Sequence, residues 1–346
     1  MLTYPGRGHL RNYSWDFPFR LAPVGRINRG GTTVRVREDA RKCTVFLGHD
    51  ASTKKRPSAI LLSGTGFLVH AGYAGVHGLY LVTAAHVAKR LGSNPFVVRL
   101  NEKDGDGRLD HVDNAIWHYH SDNSVDVAIT KYEPPDWADC AILPASEFMD
   151  RDRLEYYDIG PGDAAYIVGL FHLHAGRSRN LMVVHNGNIA LMPSDEKIPT
   201  DDGEVEGYLV ESQALQGASG SPVYIRPTLE FRARARFKRE RDNKGPASII
   251  HGEGRDYLLG VWVAAWPGKL SVKIATARGL PKHTWVPAGM GIVVPASHVS
   301  EVLFHPDRMK ERLNTTTAEM QPRGTNKASR AATPLKAHER KKDRRK

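Results

Sequence analysis

From Lys42 to Pro295 the chain alternates short apolar runs with clusters of Gly, Pro, Asn and Asp. Runs of this length, rich in Val, Ile, Leu and aromatics and bounded by turn residues, are the signature of β-strands. Six fall in the first part, at 43–48, 60–70, 79–83, 96–100, 114–120 and 125–132. After a turn-rich stretch and an expected short helix near 145–151, six more follow, at 164–171, 181–192, 207–212, 223–226, 257–266 and 290–295. Many short strands packed into so little chain suit closed antiparallel barrels. The pattern therefore predicts an all-β protein of two six-stranded antiparallel β-barrels. Val299, Val302 and Leu303 recur at helical spacing in 296–304 and predict a short helix that closes the second barrel.

The ends differ from this body. Residues 1–38 are rich in Arg, Gly, Pro and aromatics without strand or helix period and read as an arm laid over the surface, with a Gly/Arg RNA-binding segment as the other reading. Beyond His305 the composition shifts to Thr, Ala, Pro, Lys and Arg, which predicts a disordered basic tail over 306–346. The expected organisation is an arm (1–38), a first barrel (39–150), a second barrel (151–305) carrying a basic insertion at 227–255, and the tail.

The formal net charge of +11 changes this picture only locally. Residues 315–346 hold ten Lys/Arg against three Asp/Glu, and residues 226–244 hold eight against three, which leaves the folded body near neutral. Phe231-Arg232-Ala233-Arg234-Ala235-Arg236-Phe237-Lys238-Arg239 lies within the insertion. Charge runs of this kind usually serve as solvated loops. The sharper reading is that the insertion and tail hold nucleic acid or an acidic partner weakly, by counterion release.

No apolar run is long enough to span a membrane, and Asp16, prolines and aromatics interrupt the N-terminus where a secretory leader needs a continuous apolar segment. Cys43 and Cys140 are far apart and outside metal-ligand spacing, which fits two core thiols in a reducing compartment better than a disulfide framework, with a single bridge as the other option. The expectation from these features is a cytoplasmic chain. Nothing in the sequence calls for a cofactor or a metal.

Three stretches carry candidate chemistry. Gly217-Ala218-Ser219-Gly220-Ser221-Pro222 sets a hydroxyl between glycines just before an apolar run. A tight glycine-flanked turn leaves such an oxygen accessible and points neighbouring N–H groups the same way. His86 follows the apolar run Leu81-Val82-Thr83 and two alanines, small residues that let its ring reach across a cleft. Asp126 sits in the apolar run Val125-Asp126-Val127-Ala128-Ile129. A carboxylate there needs water or a buried donor, and the His86 imidazole is a fitting one.

In order and wording, Thr83-Ala84-Ala85-His86, Asp126-Val127-Ala128-Ile129 and Gly217-Ala218-Ser219-Gly220-Ser221-Pro222 resemble the chymotrypsin-like, trypsin-fold serine peptidases, and within them the bacterial HtrA-like branch. Gly64-Thr65-Gly66-Phe67-Leu68-Val69 resembles the strand that precedes the histidine in that branch, and the likeness runs over about residues 40–304. The resemblance implies a serine endopeptidase whose active site lies between the barrels. Ser219 would be the nucleophile, His86 the general base and later acid, and Asp126 the carboxylate that orients the histidine. The N–H groups of Gly217 and Ser219 would form the oxyanion hole. Two departures matter: Ser221 stands where the family usually has a second glycine, and only the basic tail follows the second barrel, with no PDZ domain.

Gln213 lies six residues before Ser219, where the family's Arg/Lys-specific members place an acidic residue. A neutral amide gives no counter-charge to a buried cation, so the resemblance implies a preference for neutral, small to medium apolar side chains before the scissile bond; the other reading is that Gln213 only hydrogen-bonds its own loop. The expected partner is thus a protein or peptide substrate. The pairs His118/His120 and His172/His174 have strand spacing that puts both rings of a pair on one face, but no local Cys, Asp or Glu set completes a metal site. Two rival readings remain: a non-catalytic module on the same fold, and a latent enzyme whose triad aligns only with a partner.

Overall fold

The computed structural model describes residues 36–92, 95–170, 175–176, 178–194, 196–200, 203–212, 217–227, 255–269 and 285–320. A short helix, α1 (Glu38–Lys42), leads into β1 (Thr44–Asp50), β2 (Ile60–Tyr73) and β3 (Val76–Thr83). Helix α2 (Ala85–Leu91) comes next, then β4 (Phe96–Asn101), β5 (Gly107–Val112), β6 (His118–Tyr119), β7 (Ala128–Lys131) and β8 (Leu143–Pro144). These strands form one eight-stranded sheet in the order β5-β4-β1-β2-β3-β7-β6, with β8 on β2. Its apolar side chains, among them Phe67, Leu68, Leu81, Phe96 and Ile129, are almost fully buried.

The second half begins with a 3-10 turn (Ala145–Glu147) and α3 (Arg151–Tyr156), so the helix expected near 145–151 is two pieces broken at Phe148. Asp150 ends the break by capping α3, its carboxylate accepting from the Arg153 N–H. The strands are β9 (Ala164–Leu170), β10 (Met182–Leu191), the hairpin β11 (Ile198–Thr200) and β12 (Gly203–Val205), β13 (Tyr208–Glu211), β14 (Pro222–Ile225), β15 (Tyr257–Lys269) and β16 (Trp285–Pro295). Six of them close a barrel, β10-β13-β16-β15-β14-β9, and they are the six predicted from the apolar runs. The molecule is all-β in its two main bodies, as expected, with one closed six-stranded barrel and a further sheet.

The first body differs in detail from the six-strand expectation. Strand β5 has no fully buried residue and carries Arg108, Asp110 and His111, so it lacks the apolar content that marks a strand. Of 114–120 only β6 is strand, and Asn114 at the start of that run adopts a left-handed φ of 57°. The run 125–132 becomes strand only from Ala128.

Helix α4 (Ala296–Leu303) buries Ala296, Val299, Val302 and Leu303, the spacing that predicted it. The expected disordered tail is corrected at its start: residues 306–320 form a further helix, α5 (Pro306–Met320). Arg312 explains why so polar a segment is held. Its guanidinium is buried, donates to the Tyr80 hydroxyl at 3.0 Å and lies over the rings of Tyr80 and Phe304. Arg308 also pairs with His118. A basic side chain can thus anchor a helix through its stem and ring contacts, which composition alone does not reveal. Residues 1–35 and 321–346, most of the arm and tail, lie outside the described residues, as do 228–254 of the insertion.

The flanks of that insertion are pinned. Arg226, just after β14, donates to both carboxylate oxygens of Asp256, just before β15, at 2.7 and 2.9 Å. The Asp256 hydrogen bond raises the Arg226 pKa against the opposing effect of burial. The bidentate pair joins the two strands whether or not anything is inserted between them.

The two bodies meet over Cys43, whose thiol lies 3.0 Å from the Tyr224 hydroxyl on β14. Both cysteines are free thiols, so the single bridge left open by the sequence is not formed. Burial pushes the Cys43 thiol up to about 12 and the Cys140 thiol to about 11. Above about pH 8.5 an unfolded chain ionises both thiols while the folded one keeps them protonated, so stability falls as pH rises from about 8.5 toward those values. Accordingly, a disulfide-exchange thiol reagent at pH 8 should modify Cys43 only on unfolding and Cys140 slowly, with two thiols released in urea without reductant. Fast native modification of Cys43, or fewer than two thiols in urea, would contradict this packing.

Candidate active site

The register of β3 against β7 decides where two of the predicted residues meet. Thr83 pairs with Ala128 in an antiparallel ladder. His86, three residues beyond Thr83, and Asp126, two residues before Ala128, therefore emerge side by side at the same end of the pair. His86 is the second residue of α2, where backbone N–H groups have no partner within the helix. Asp126 uses both carboxylate oxygens on it: Oδ1 accepts from the His86 N–H at 2.8 Å, and Oδ2 lies 2.6 Å from Nδ1 of the ring.

Asp126 is not inside a strand, as the apolar run suggested. It is the centre of a tight turn in which the Val127 N–H donates to the Val125 carbonyl at 2.9 Å. Val125 and Val127 are buried on either side and hold the turn, which leaves the carboxylate half-exposed and facing the imidazole.

The same device places Ser219. In β14 and β15, Pro222 pairs with Val261, so Ser219 and Val263 come together at the end of that ladder. The Ser221 N–H donates to the Ala218 carbonyl at 2.8 Å, which makes Ser219 and Gly220 the central pair of a turn. Gly220 has φ 86°, the left-handed value that the second central residue of a type II turn requires. Gly217 also has a left-handed φ, 99°. The Ser219 hydroxyl donates to the Val263 carbonyl at 3.2 Å. Among the described residues, the N–H groups of Gly217 and Ser219 donate to no protein acceptor.

Thr65, at the middle of β2, ties the two bodies together. It is fully buried. Its N–H donates to the Ser219 carbonyl at 2.9 Å, and its hydroxyl donates to the Gly217 carbonyl at 3.0 Å and accepts from the Leu170 N–H at 3.3 Å. Its carbonyl accepts from the Thr83 hydroxyl at 2.7 Å. One residue of the first sheet thus holds the Ser219 turn of the second barrel and the strand that leads to His86.

The glycines around Thr65 and Ser219 make this approach possible. A Cβ on Gly64 would lie 2.8 Å from the Val87 methyls and 3.0 Å from the Ser219 carbonyl oxygen. A Cβ on Gly220 would overlap the Thr65 carbonyl oxygen. Ser221, the departure noted in the sequence, is fully buried, and its hydroxyl has no protein partner among the described residues. It occupies the space that a Cβ on Gly169 would need. The side chain gained at 221 is thus matched by one missing across the barrel.

Sequence reading named His86, Asp126, Ser219 and Gly217: His86 and Asp126 meet beyond the end of the first ladder, and Gly217 and Ser219 lie in the segment that Thr65 holds. Gln213 lies outside the described residues, as do His172 and His174. His118 and His120 do not act as a pair: His118 turns to Arg308, and His120 lies 2.7 Å from the Glu301 carboxylate. Thr65 and Val263 were missed. The signal for Thr65 was a polar residue between two glycines in an otherwise apolar strand; Val263 takes part through its backbone, which has no sequence signal.

Residues 64–226, which contain His86, Asp126 and Ser219, match the family model described as a trypsin-like peptidase domain. No curated protein sequence matches the chain. In structure it is similar to the HtrA-type protease AlgW with a decapeptide, at 16% identity and a TM-score of 0.40, covering 80% of this chain and 66% of that one, just under two thirds. It is also similar to the Rv3671c protease from M. tuberculosis in its active form, at 20% identity and a TM-score of 0.38, covering 76% of this chain and 80% of that one.

Thr65→Val keeps the shape of the side chain but strips the Gly217 carbonyl and the Leu170 N–H of a buried partner. It should lower the unfolding free energy by about 1–3 kcal/mol, whereas Thr65→Ser, which keeps the hydroxyl, should stay closer to wild type. Urea melts of the three proteins check this, and a Thr65→Val midpoint equal to wild type would show that the Thr65 hydroxyl contributes nothing.

Proposed function

Given a trypsin-like peptidase domain over residues 64–226, we propose that this chain is a serine endopeptidase that cleaves peptide bonds through an acyl-enzyme on Ser219. The observation that carries the reading is the His86–Asp126 pair. With Nδ1 of the ring 2.6 Å from Oδ2 of Asp126, the tautomer with the proton on Nδ1 is favoured, which leaves the Nε2 lone pair free as a base.

In this mechanism the Ser219 hydroxyl turns from the Val263 carbonyl toward Nε2. Its oxygen attacks the scissile carbonyl carbon while its proton passes to His86. Asp126 stabilises the imidazolium that forms. The negative oxygen of the tetrahedral intermediate takes the N–H groups of Gly217 and Ser219, which have no competing protein acceptor among the described residues. His86 then gives its proton to the leaving amine as the C–N bond breaks. Water, deprotonated by the same imidazole, hydrolyses the ester and returns Ser219.

A second reading is favoured by one specific contact. The Ser219 hydroxyl is directed at the Val263 carbonyl at 3.2 Å, which fits a latent enzyme whose serine swings to the histidine when a partner or substrate binds.

A fluorophosphonate probe separates these readings. Wild type should be labelled, Ser219→Ala should not be, and His86→Ala should label at least about a thousandfold more slowly. Equal labelling of wild type and Ser219→Ala would refute the assignment, and absence of labelling in wild type would favour latency. For specificity, peptides with Val or Ala before the scissile bond should exceed matched Arg peptides by about tenfold or more in kcat/KM, since Gln213 supplies no counter-charge. A strong Arg preference would overturn that expectation.

A further inference from the structure

Away from the Ser219 junction, three side chains distant in sequence converge where the first sheet meets the C-terminal helix. His120 follows β6, and His298 and Glu301 lie one turn apart on α4, on the same helix face. Nε2 of His120 is 2.7 Å from Oε2 of Glu301, and Nδ1 of His298 is 3.4 Å from the same oxygen. The two rings meet edge to face with centroids 5.0 Å apart. One ligand atom from each of the three residues lies within 4.8 Å of the others.

Two features make this more than a surface hydrogen-bond cluster. First, the imidazoles are largely buried, with side-chain exposures of 8% for His120 and 12% for His298, while Glu301 is 57% exposed and leaves the cluster open to water on one side. Second, Nε2 of His298 is buried without a hydrogen-bond partner among the described residues, and Oε2 of Glu206 is 3.8 Å away. A ligating histidine commonly directs its other ring nitrogen at a carboxylate, which fixes the tautomer. Glu206 is placed to serve in that way once Nδ1 is engaged. His120 has its own orienting partner in Asp122, whose N–H is 3.0 Å and whose carbonyl is 3.4 Å from Nδ1. Nδ1 can therefore accept from the N–H, or donate to the carbonyl when Nε2 is taken by a cation.

We propose that His120, His298 and Glu301 bind a divalent transition cation of the zinc class, with water completing the coordination. Two imidazoles and one carboxylate with an open position suit such an ion, and donor-to-metal distances of about 2.0–2.2 Å require only small side-chain movements from the present spacing. The site staples α4 to the segment that leads into Asp126. Between His120 and Asp126 the chain is short and internally bonded: the Ser124 N–H and hydroxyl donate to the Asp122 carboxylate, and the Val125 N–H donates to the Asp122 carbonyl. A bound cation would therefore stiffen the turn that presents Asp126 to His86.

The proposal is tested on the full-length chain without an affinity tag. Titration with Co²⁺ as a spectroscopic stand-in for Zn²⁺ should give visible ligand-field absorption saturating at one equivalent. Zn²⁺ at about a hundredfold above its Kd should raise the melting temperature by about 5–10 °C. Glu301→Gln, an exposed change that preserves folding, and His298→Ala should each abolish the absorption and the shift, while His86→Ala should keep both. No ligand-field absorption in wild type, or absorption unchanged in Glu301→Gln and His298→Ala, would overturn the site. Loss of binding in His86→Ala alone would overturn it too, by assigning the cation to the other histidine.

Discussion

The structure depends on Thr65. Where the two β-bodies meet, their spacing is set by hydrogen bonds from one buried residue as well as by apolar packing. Thr65 engages Ser219 and Gly217 of the second barrel through its N–H and hydroxyl, and Thr83 of its own sheet through its carbonyl. Hydrogen bonds are directional where apolar contact is not, so this clamp fixes the rotation of the Ser219 turn as well as its approach. Its cost is steric: Gly64 and Gly220 have no room for a side chain at the contact.

Both halves solve the placement problem in the same way. In each, an antiparallel ladder ends just short of the residues that matter, Thr83 opposite Ala128 and Pro222 opposite Val261. The chains that leave the ladder are neighbours by construction. His86 and Asp126 meet beyond one ladder, and Ser219 and Val263 beyond the other. A slip of one residue in either register would turn the flanking side chains to the opposite face, and the buried Val82, Val127, Val223 and Leu259 oppose such a slip. The apolar alternation that defines the cores is thus also what positions the polar residues.

That link explains what could be read from the sequence. The strands of the closed barrel were legible because each carries apolar residues, which in β9 and β14 form runs of buried side chains. Strand β5 was not, since its residues are half-buried or exposed. Helix α2 was hidden because it begins in alanines, which show no period, and α5 because its anchors are Arg308 and Arg312 rather than a full apolar stripe. At the candidate site the side chains with distinctive chemistry were legible by type and order. The groups that hold them, Thr65 and the backbone carbonyl of Val263, were not, because a threonine in a strand is common and a carbonyl belongs to every residue. His120 shows the same limit from the other side: its partners His298 and Glu301 are distant in the chain, and only the packing of α4 on the first body brings them near.

The orientation of the Ser219 hydroxyl follows from these constraints. With its backbone set by the turn and its carbonyl held by Thr65, the side chain retains one soft torsion, and the Val263 carbonyl is an acceptor within its reach. A neutral hydrogen bond of this kind contributes only about 0.5–1.5 kcal/mol net, a difference of about tenfold in population at most. Rotating the Ser219 hydroxyl away from Val263 therefore requires no movement of the backbone and little energy. A strongly latent state would need a larger obstacle than this contact, such as displacement of the Gly217 N–H or of the segment carrying Asp126. Thr65 holds the carbonyls of Gly217 and Ser219, and the His86 N–H holds Asp126, so the side-chain torsion of Ser219 is the part left to move.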